Sequence, residues 1–346
     1  VEEQQAGRRW LKEEGMHCYL CEDYINEAEG DYRSVLIDGS GEIRNLCENC
    51  YPDNGCCCDS CDEYVLAEYG DTCPCCGEGT NGDRRRGYGD PIRQYDYTPV
   101  WNRLSTGGSD RMFMGIELEI DEGDGREGLA SDILSKFGAH VFCKSDGSLS
   151  DSGLEIVSHP ATLGFHKTKL EWKKLCKTCM ADGYSSHDTS TCGLHVHVSR
   201  SFTIGGDDGV TSTDLLKVTA FIYGHEEEIN IFARRTNKEY AKMKKAGTVG
   251  EVKSSLSGRD KYSAINTLHP DTVEFRMCKG TLRYSTLMAS IEFFHAVCKF
   301  AKTISAPLVL QNVRSWNLFC DFVAMSKEYD YVEDYMKRHL IWRKEA

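Results

Sequence analysis

At 346 residues, 27% of them charged, and with a formal net charge of −13, the chain is long enough for one large core or for a core plus a small appendage. Its acidity argues against a broad electrostatic grip on nucleic acid, which needs clustered Lys and Arg to displace counterions. No apolar run approaches the roughly 18 residues that span a bilayer, so no membrane role is expected.

Eleven of the eighteen cysteines fall before residue 77, which marks residues 1–78 as a head unlike the rest. They come as Cys-x-x-Cys pairs, and the chain as given opens without a signal-like apolar segment, so a reducing, cytoplasmic setting is expected rather than disulfides. Residues 1–15 are polar and read as a short lead-in helix. Cys18-x-x-Cys21 with Cys47-x-x-Cys50 form one tetracysteine set; Cys58-x-x-Cys61 with Cys73 and Cys76 form a second. Zinc takes four thiolates tetrahedrally, so each set closes a site with no open position, and two structural zinc ions in a zinc-ribbon or treble-clef-like head are expected. Such binding is worth on the order of 10 kcal/mol, enough to order a segment with few large apolar residues. Cys56, Cys57 and Cys75 are surplus, and any of them could replace a neighbour as ligand. The head is either a folded appendage or a docking module for a protein or nucleic-acid substrate.

Residues 79–110 have no sustained period and read as a connector, with Tyr95, Tyr97 and Trp101 as packing groups. Arg84, Arg85 and Arg86 sit among Gly, Asn and Asp and read as solvated linker.

From residue 111 to 346 the pattern alternates between period two and period three to four. The segments MFMGIELEI, HVFCK, GLEIVS, LHVHVS, YSAIN and TVEFRMC predict strands. Between them the spacing predicts one helix from Asp214 to Ala233 capped by Thr213, another from Thr168 to Met180 ending near Gly183, a third from Tyr284 to Ile304, and helix after Ser315. Cys176 and Cys179 lie one turn apart, as buried core cysteines do. Strands joined both by hairpins and by helices imply an α+β domain with an antiparallel sheet.

Residues two apart in a strand share a face, so Glu117 and Glu119 point one way while Ile116, Leu118 and Ile120 point the other. His195 and His197 do the same against Leu194, Val196 and Val198; Glu274 and Arg276 against Val273, Phe275 and Met277; Glu155 against Leu154 and Ile156. A merely solvated face would favour Lys, Thr and Ser. Glutamate and histidine are instead ligands for hard divalent cations, and an arginine can hold phosphate or carboxylate. Several carboxylates packed without cations would repel one another, so the cluster implies bound metal.

The ordered series GIELEI, KSDGSLSDSGLEIVSHP, CGLHVHVS, FARRTNKEY, KYSAIN and TVEFRMCKGTL, from about residue 112 to 285, resembles the amidoligase family of the carboxylate-amine ligase superfamily typified by glutamine synthetase and glutamate-cysteine ligase. The resemblance implies a glutamine-synthetase-like antiparallel sheet with flanking helices. It also implies an ATP-dependent ligase that activates a carboxylate as an acyl phosphate and passes it to an amine. Glu117, Glu119, Glu155, His195 and Glu274 then resemble the magnesium or manganese ligands, with Arg276 meeting phosphate or substrate. His197 resembles the histidine beside the nucleotide, and Arg235, Arg259 and Lys261 resemble basic residues that neutralise its phosphates. Only one glutamate stands in the middle strand where glutamine synthetase supplies two, and a zinc head replaces the amino-terminal domain, so glutamate plus ammonia is not the expected reaction. Members of the family are common in phage genomes and beside peptide-modifying genes, which implies a peptide or protein carboxylate in a bacterial or infected host cell. A metal-dependent hydrolase built on the His-x-His strand, and an inactive zinc-headed adaptor, are the competing readings.

Overall fold

The computed structural model describes residues 18, 25, 32–36, 43–47, 55–57, 64–66, 91–95, 97–99, 101–187, 189, 191–201, 208–235, 241–257 and 262–343. The chain divides into two compact units, residues 1–91 with 96–100, and residues 92–95 with 101–346.

The first unit holds a four-stranded sheet built from β1 (Tyr32–Leu36), β2 (Ile43–Cys47), β3 (Gly55–Cys57) and β4 (Tyr64–Leu66), in the order β2-β1-β4-β3. Val35 and Leu46 are fully buried, and Ser34 Oγ donates to Asn45 Oδ1 at 2.7 Å across the β1–β2 hairpin. Cys18 and Cys47 are buried, and the Cys47 backbone N–H donates to Cys18 Sγ at 3.4 Å. Cys56 and Cys57 fall on β3. The expected lead-in helix, the Arg84 to Arg86 run and Cys21, Cys50, Cys58, Cys61, Cys73, Cys75 and Cys76 lie outside the described residues.

The second unit is a mixed α/β layer. Its strands are β5 (Ile92–Arg93), β6 (Phe113–Ile120), β7 (Val141–Lys144), β8 (Leu154–Ser158), β9 (Ala161–Thr162), β10 (Gly193–Ser199), β11 (Ile265–Asn266) and β12 (Thr272–Lys279). They pair in the order β11-β12-β10-β6-β8-β7-β5, with β9 also on β6; only the β5–β7 pairing is parallel. YSAIN contributes just two strand residues, because Ile265 and Asn266 alone pair with β12.

The helices are α1 (Arg126–Phe137), α2 (Leu163–Thr168), α3 (Trp172–Ala181), α4 (Ser212–Gly224), α5 (Glu226–Ala233), α6 (Val249–Ser257), α7 (Tyr284–Thr303), α8 (Ala306–Val309), α9 (Asn312–Ala324) and α10 (Asp330–Arg338). The apolar face of the sheet, with Ile116, Leu118, Ile120, Val196 and Phe275 fully buried, packs on α7, where Phe275 stacks on Phe294 with ring centroids 4.5 Å apart. Cys176 and Cys179 on α3 are core residues. The α7 residue Glu292 is fully buried and ties two other helices to it, accepting from Lys167 Nζ at 2.7 Å and from the Val332 N–H at 2.9 Å. No helix among the described residues is long and apolar enough to cross a membrane.

Two helix boundaries differ from the sequence expectation. The run from Asp214 to Ala233 is two helices, broken at His225. There the imidazole Nδ1–H takes the Phe221 carbonyl at 2.6 Å, the i−4 acceptor that the His225 backbone would use in an unbroken helix. The cap is Thr211 rather than Thr213: its hydroxyl accepts the Asp214 N–H while the Asp214 carboxylate accepts the Thr211 N–H, a reciprocal capping box. The helix expected from Thr168 begins at Trp172, with α2 as a separate turn before it.

Candidate active site

The site grows from the pleat of β6. Glu117 and Glu119 project from the face opposite Ile116 and Leu118, and the neighbouring strands present matching residues at the same level. His195 on β10 is directly opposite Glu117, and Glu155 on β8 is directly opposite Glu119. His197 is opposite Glu274 on β12, which in turn is opposite Asn266 on β11. Four strands thereby bring Glu117, Glu119, Glu155, His195, His197, Glu274 and Arg276 onto one floor. That floor is not a solvated face: Glu119 and Glu155 are each 4% exposed, His195 and Glu274 each 5%.

Most groups on the floor have a polar neighbour within 4 Å. His195 Nδ1 lies 3.1 Å from Glu117 Oε2 and 3.7 Å from Glu274 Oε1, while its Nε2 lies 4.0 Å from Glu119 Oε1. His197 Nε2 stands 3.1 Å from the other Glu117 oxygen, and its Nδ1 3.4 Å from Thr272 Oγ1. Glu274 accepts from Asn266 Nδ2 at 2.7 Å and from Arg276 Nη1. The Gly193 backbone N–H donates to Glu119 Oε2, a close approach that only glycine allows: a Cβ there would sit 2.8 Å from His195 Nε2.

Charge is concentrated rather than cancelled. Burial opposes ionisation of Glu117, but the attraction and hydrogen bonds of His197 and His195 outweigh it and hold the carboxyl well below the usual carboxylate range. Burial also disfavours the His197 cation, yet the Glu117 charge outweighs that and raises its pKa. For Glu155 burial and the repulsion of Glu117 act together and push the carboxyl well above its usual value. A carboxyl in that condition is relieved by a divalent cation, and the donors are spaced for one. Ligand atoms of Glu117, His195 and Glu274 lie within 4.8 Å of one another, as do those of Glu119, Glu155 and His195. Four oxygen-bearing residues and one imidazole suit a hard cation.

Arg235 follows Arg234, which closes α5 in the left-handed conformation at φ 58°. The turn aims both guanidinium groups at β12: Arg234 Nη2 donates to the Lys279 carbonyl at 2.6 Å, Arg235 Nη1 to the Arg276 carbonyl at 3.2 Å. Burial lowers the Arg235 pKa, with Glu119 opposing that shift. Arg259 and Lys261 lie outside the described residues.

Sequence reasoning missed four supporting residues. Asn266 and Gly193 hold Glu274 and Glu119; both lie inside YSAIN and CGLHVHVS, but no period marks them. Lys144 stands opposite Glu155 on β7, extending the row of charges by one strand. Asp121, one residue beyond β6, accepts the Ser150 N–H at 3.0 Å and the hydroxyls of Ser150 and Ser152, and so fastens the Asp146–Ser152 loop that precedes β8. That loop is the glycine- and serine-rich stretch of KSDGSLSDSG.

No family model matches the sequence, and neither does any curated protein. Among solved structures, GmaS without ligand aligns at a TM-score of 0.38 and 10% sequence identity, over 66% of this chain and 68% of that one. The complex between the prokaryotic ubiquitin-like protein Pup and its ligase PafA aligns at a TM-score of 0.32 and 10% identity, over 68% of this chain and 59% of that one, so the match spans less than two thirds of the latter. At these scores neither likeness bears on chemistry, which the residues of the floor must supply.

Proposed function

We propose that the second unit is an ATP-dependent carboxylate-amine ligase that forms an amide bond on a peptide or protein. The observation that carries this reading is the pair of three-residue donor sets that share His195 on one buried sheet face, with Arg276 bonded to Glu274 at their edge. Glu117, His195 and Glu274 would hold one magnesium or manganese ion, and Glu119, Glu155 and His195 a second. Bound there, the cations would offset the charge that develops during phosphoryl transfer.

The chain's own residues do the positioning. Asn266 and Arg276 fix both Glu274 oxygens, and the Gly193 amide fixes Glu119, so the donors are preorganised rather than recruited. Arg276 is bonded to Glu274 beside the donor sets, where it would meet the γ-phosphate. The substrate carboxylate attacks that phosphorus, ADP leaves, and an acyl phosphate forms; the amine then attacks the acyl carbon, phosphate leaves, and an amide remains. Arg235 adds positive charge behind Arg276. The roles of Arg259 and Lys261 toward the phosphates rest on the resemblance of their motif. Zinc held by the cysteine pairs of the first unit would do no chemistry in this scheme, because closed thiolate sites offer no open position.

Incubation with ATP, Mg2+, hydroxylamine and a panel of acidic peptides tests the proposal. The expected result is ATP-dependent hydroxamate, abolished by Glu117→Gln and by Glu274→Gln in proteins that remain folded by circular dichroism. Near-normal turnover in both variants refutes the assignment; ATP-independent cleavage of the peptides indicates the hydrolase instead.

A further inference from the structure

A cavity of about 520 Å³ opens on the second unit between α3 and the chain that follows β12. Lys173 and Lys177 lie on one side, one helical turn apart, and Arg283 faces them from the other. Their neighbour Lys174 is paired with Glu171 at 3.6 Å, whereas Lys173, Lys177 and Arg283 have no carboxylate partner among the described residues. In a chain of net charge −13, three unpaired cations around one opening are a local reversal of sign. Between them the lining is apolar, with Met180 at 49% exposure and Leu282 buried beneath.

We infer that this groove docks an acidic segment of a polypeptide, its carboxylates toward Lys173, Lys177 and Arg283 and an apolar side chain on the exposed Met180. Arginine meets a carboxylate through two parallel N–H groups, and methionine adapts to varied apolar shapes. Single-stranded nucleic acid would need open aromatic faces for its bases. The two tyrosines of the lining do not offer them: Tyr184 is 3% exposed, and Tyr284 packs edge-on to Tyr331 at 5.6 Å.

One side of the groove is bonded to the strand that carries Glu117 and Glu119. Gly183, Tyr184, Ser185 and His187 line it, and the same stretch bonds to the end of β6 and to Asp121 just beyond it. Ser185 exchanges two backbone hydrogen bonds with Asp121, each 2.9 Å, and Ser186 Oγ donates to the Glu119 carbonyl at 2.7 Å. The stretch that lines the groove is thereby tied through these bonds to the end of the strand that carries Glu119. In this the inference rests on the ligase reading and names the polypeptide chemistry that the ligase would select.

Binding is measured on the full chain without ATP, so the groove is tested even in a protein with no ligase activity. A fluorescein-labelled peptide of ~12 residues, Glu-rich with interspersed Leu, is titrated by anisotropy. The expected result is saturable binding, weakened at least ~10-fold by Lys173→Glu/Lys177→Glu and largely kept by Lys173→Arg/Lys177→Arg, since ~10-fold corresponds to the loss of one or two partly screened charge contacts. Absence of binding, an affinity indifferent to the charge reversal, or equal binding of a single-stranded oligonucleotide of the same length overturns the proposal.

Discussion

Glu119 and Glu155 stand directly opposite each other on β6 and β8, both almost completely buried. Opposed residues in an antiparallel pair have Cβ atoms about 5 Å apart, where two like charges destabilise the sheet. In the reading proposed above, a cation between them relieves that repulsion.

Replacing Glu155 by Gln keeps the shape and removes one charge of that pair. In EDTA the variant is expected to be at least as stable as the parent, because burial and repulsion already disfavour the Glu155 carboxylate. Millimolar Mn2+ is expected to raise the melting temperature of the parent and to raise that of the variant less, by mass action on the folded state. Differential scanning fluorimetry with and without Mn2+ reads both. A parent protein whose melting temperature ignores Mn2+ and Mg2+ alike would remove cations from the site.

Gly193→Ala tests the geometry without touching a charge. The added methyl would lie 2.8 Å from His195 Nε2 and 3.3 Å from Glu119 Oε2, forcing both side chains off their positions. A displacement of a full 1 Å would cost about 100-fold in rate, so for these smaller shifts ATP-dependent hydroxamate formation should fall by up to about that factor while the fold persists. Comparable kcat in the two proteins would show that Glu119 and His195 are not placed for the reaction.

His166 should make stability fall in acid. It is fully buried, its Nε2 is 3.0 Å from the Met114 carbonyl, and its Nδ1 accepts the Trp172 indole N–H at 3.3 Å. A second ring proton would displace that indole, and burial lowers the pKa to about 4 from an unfolded value of 6.5. Between those values the unfolded chain takes up a proton that the folded chain refuses. Stability contributed by the neutral ring is therefore complete above about pH 6.5 and shrinks as pH falls toward about 4, by up to about 3 kcal/mol. Urea denaturation at several pH values should show the slope, and His166→Gln should flatten it.

The head is expected to bind two zinc ions per chain, and Cys18→Ser should lose one of them. Elemental analysis of purified protein counts the metal, and strong chelators should unfold the head while leaving the melting of the second unit in place. A metal-free head that keeps its structure would point to other packing for the eight cysteines.

The period-two strands were the most legible part of the chain. Alternation alone put Glu117, Glu119, His195 and Glu274 opposite a set of large aliphatic residues, and a sheet with one apolar side follows from that. It does not reveal which strands are neighbours. The opposition of Glu119 to Glu155, or of His195 to Glu117, depends on register across connections of tens of residues. Helix breaks were hidden for a different reason. At His225 the interruption is made by a side chain that competes for a carbonyl, and histidine carries no warning of this in composition. Helix α1 has no usual start signal, because it follows Gly125 at φ 77° with no capping side chain. Lys144 and Asp121 read as ordinary charged residues at strand ends, and only the pairing of β7 and the position of the Asp146–Ser152 loop give them partners.

A neutral imidazole has a single lone pair to donate, and His195 turns one ring nitrogen toward Glu117 and Glu274 and the other toward Glu119. In the two-cation scheme proposed above, the seats would therefore share one donor. Moving the ring proton from one nitrogen to the other would hand that donor across, so that tightening the hold on one ion would loosen the hold on its neighbour.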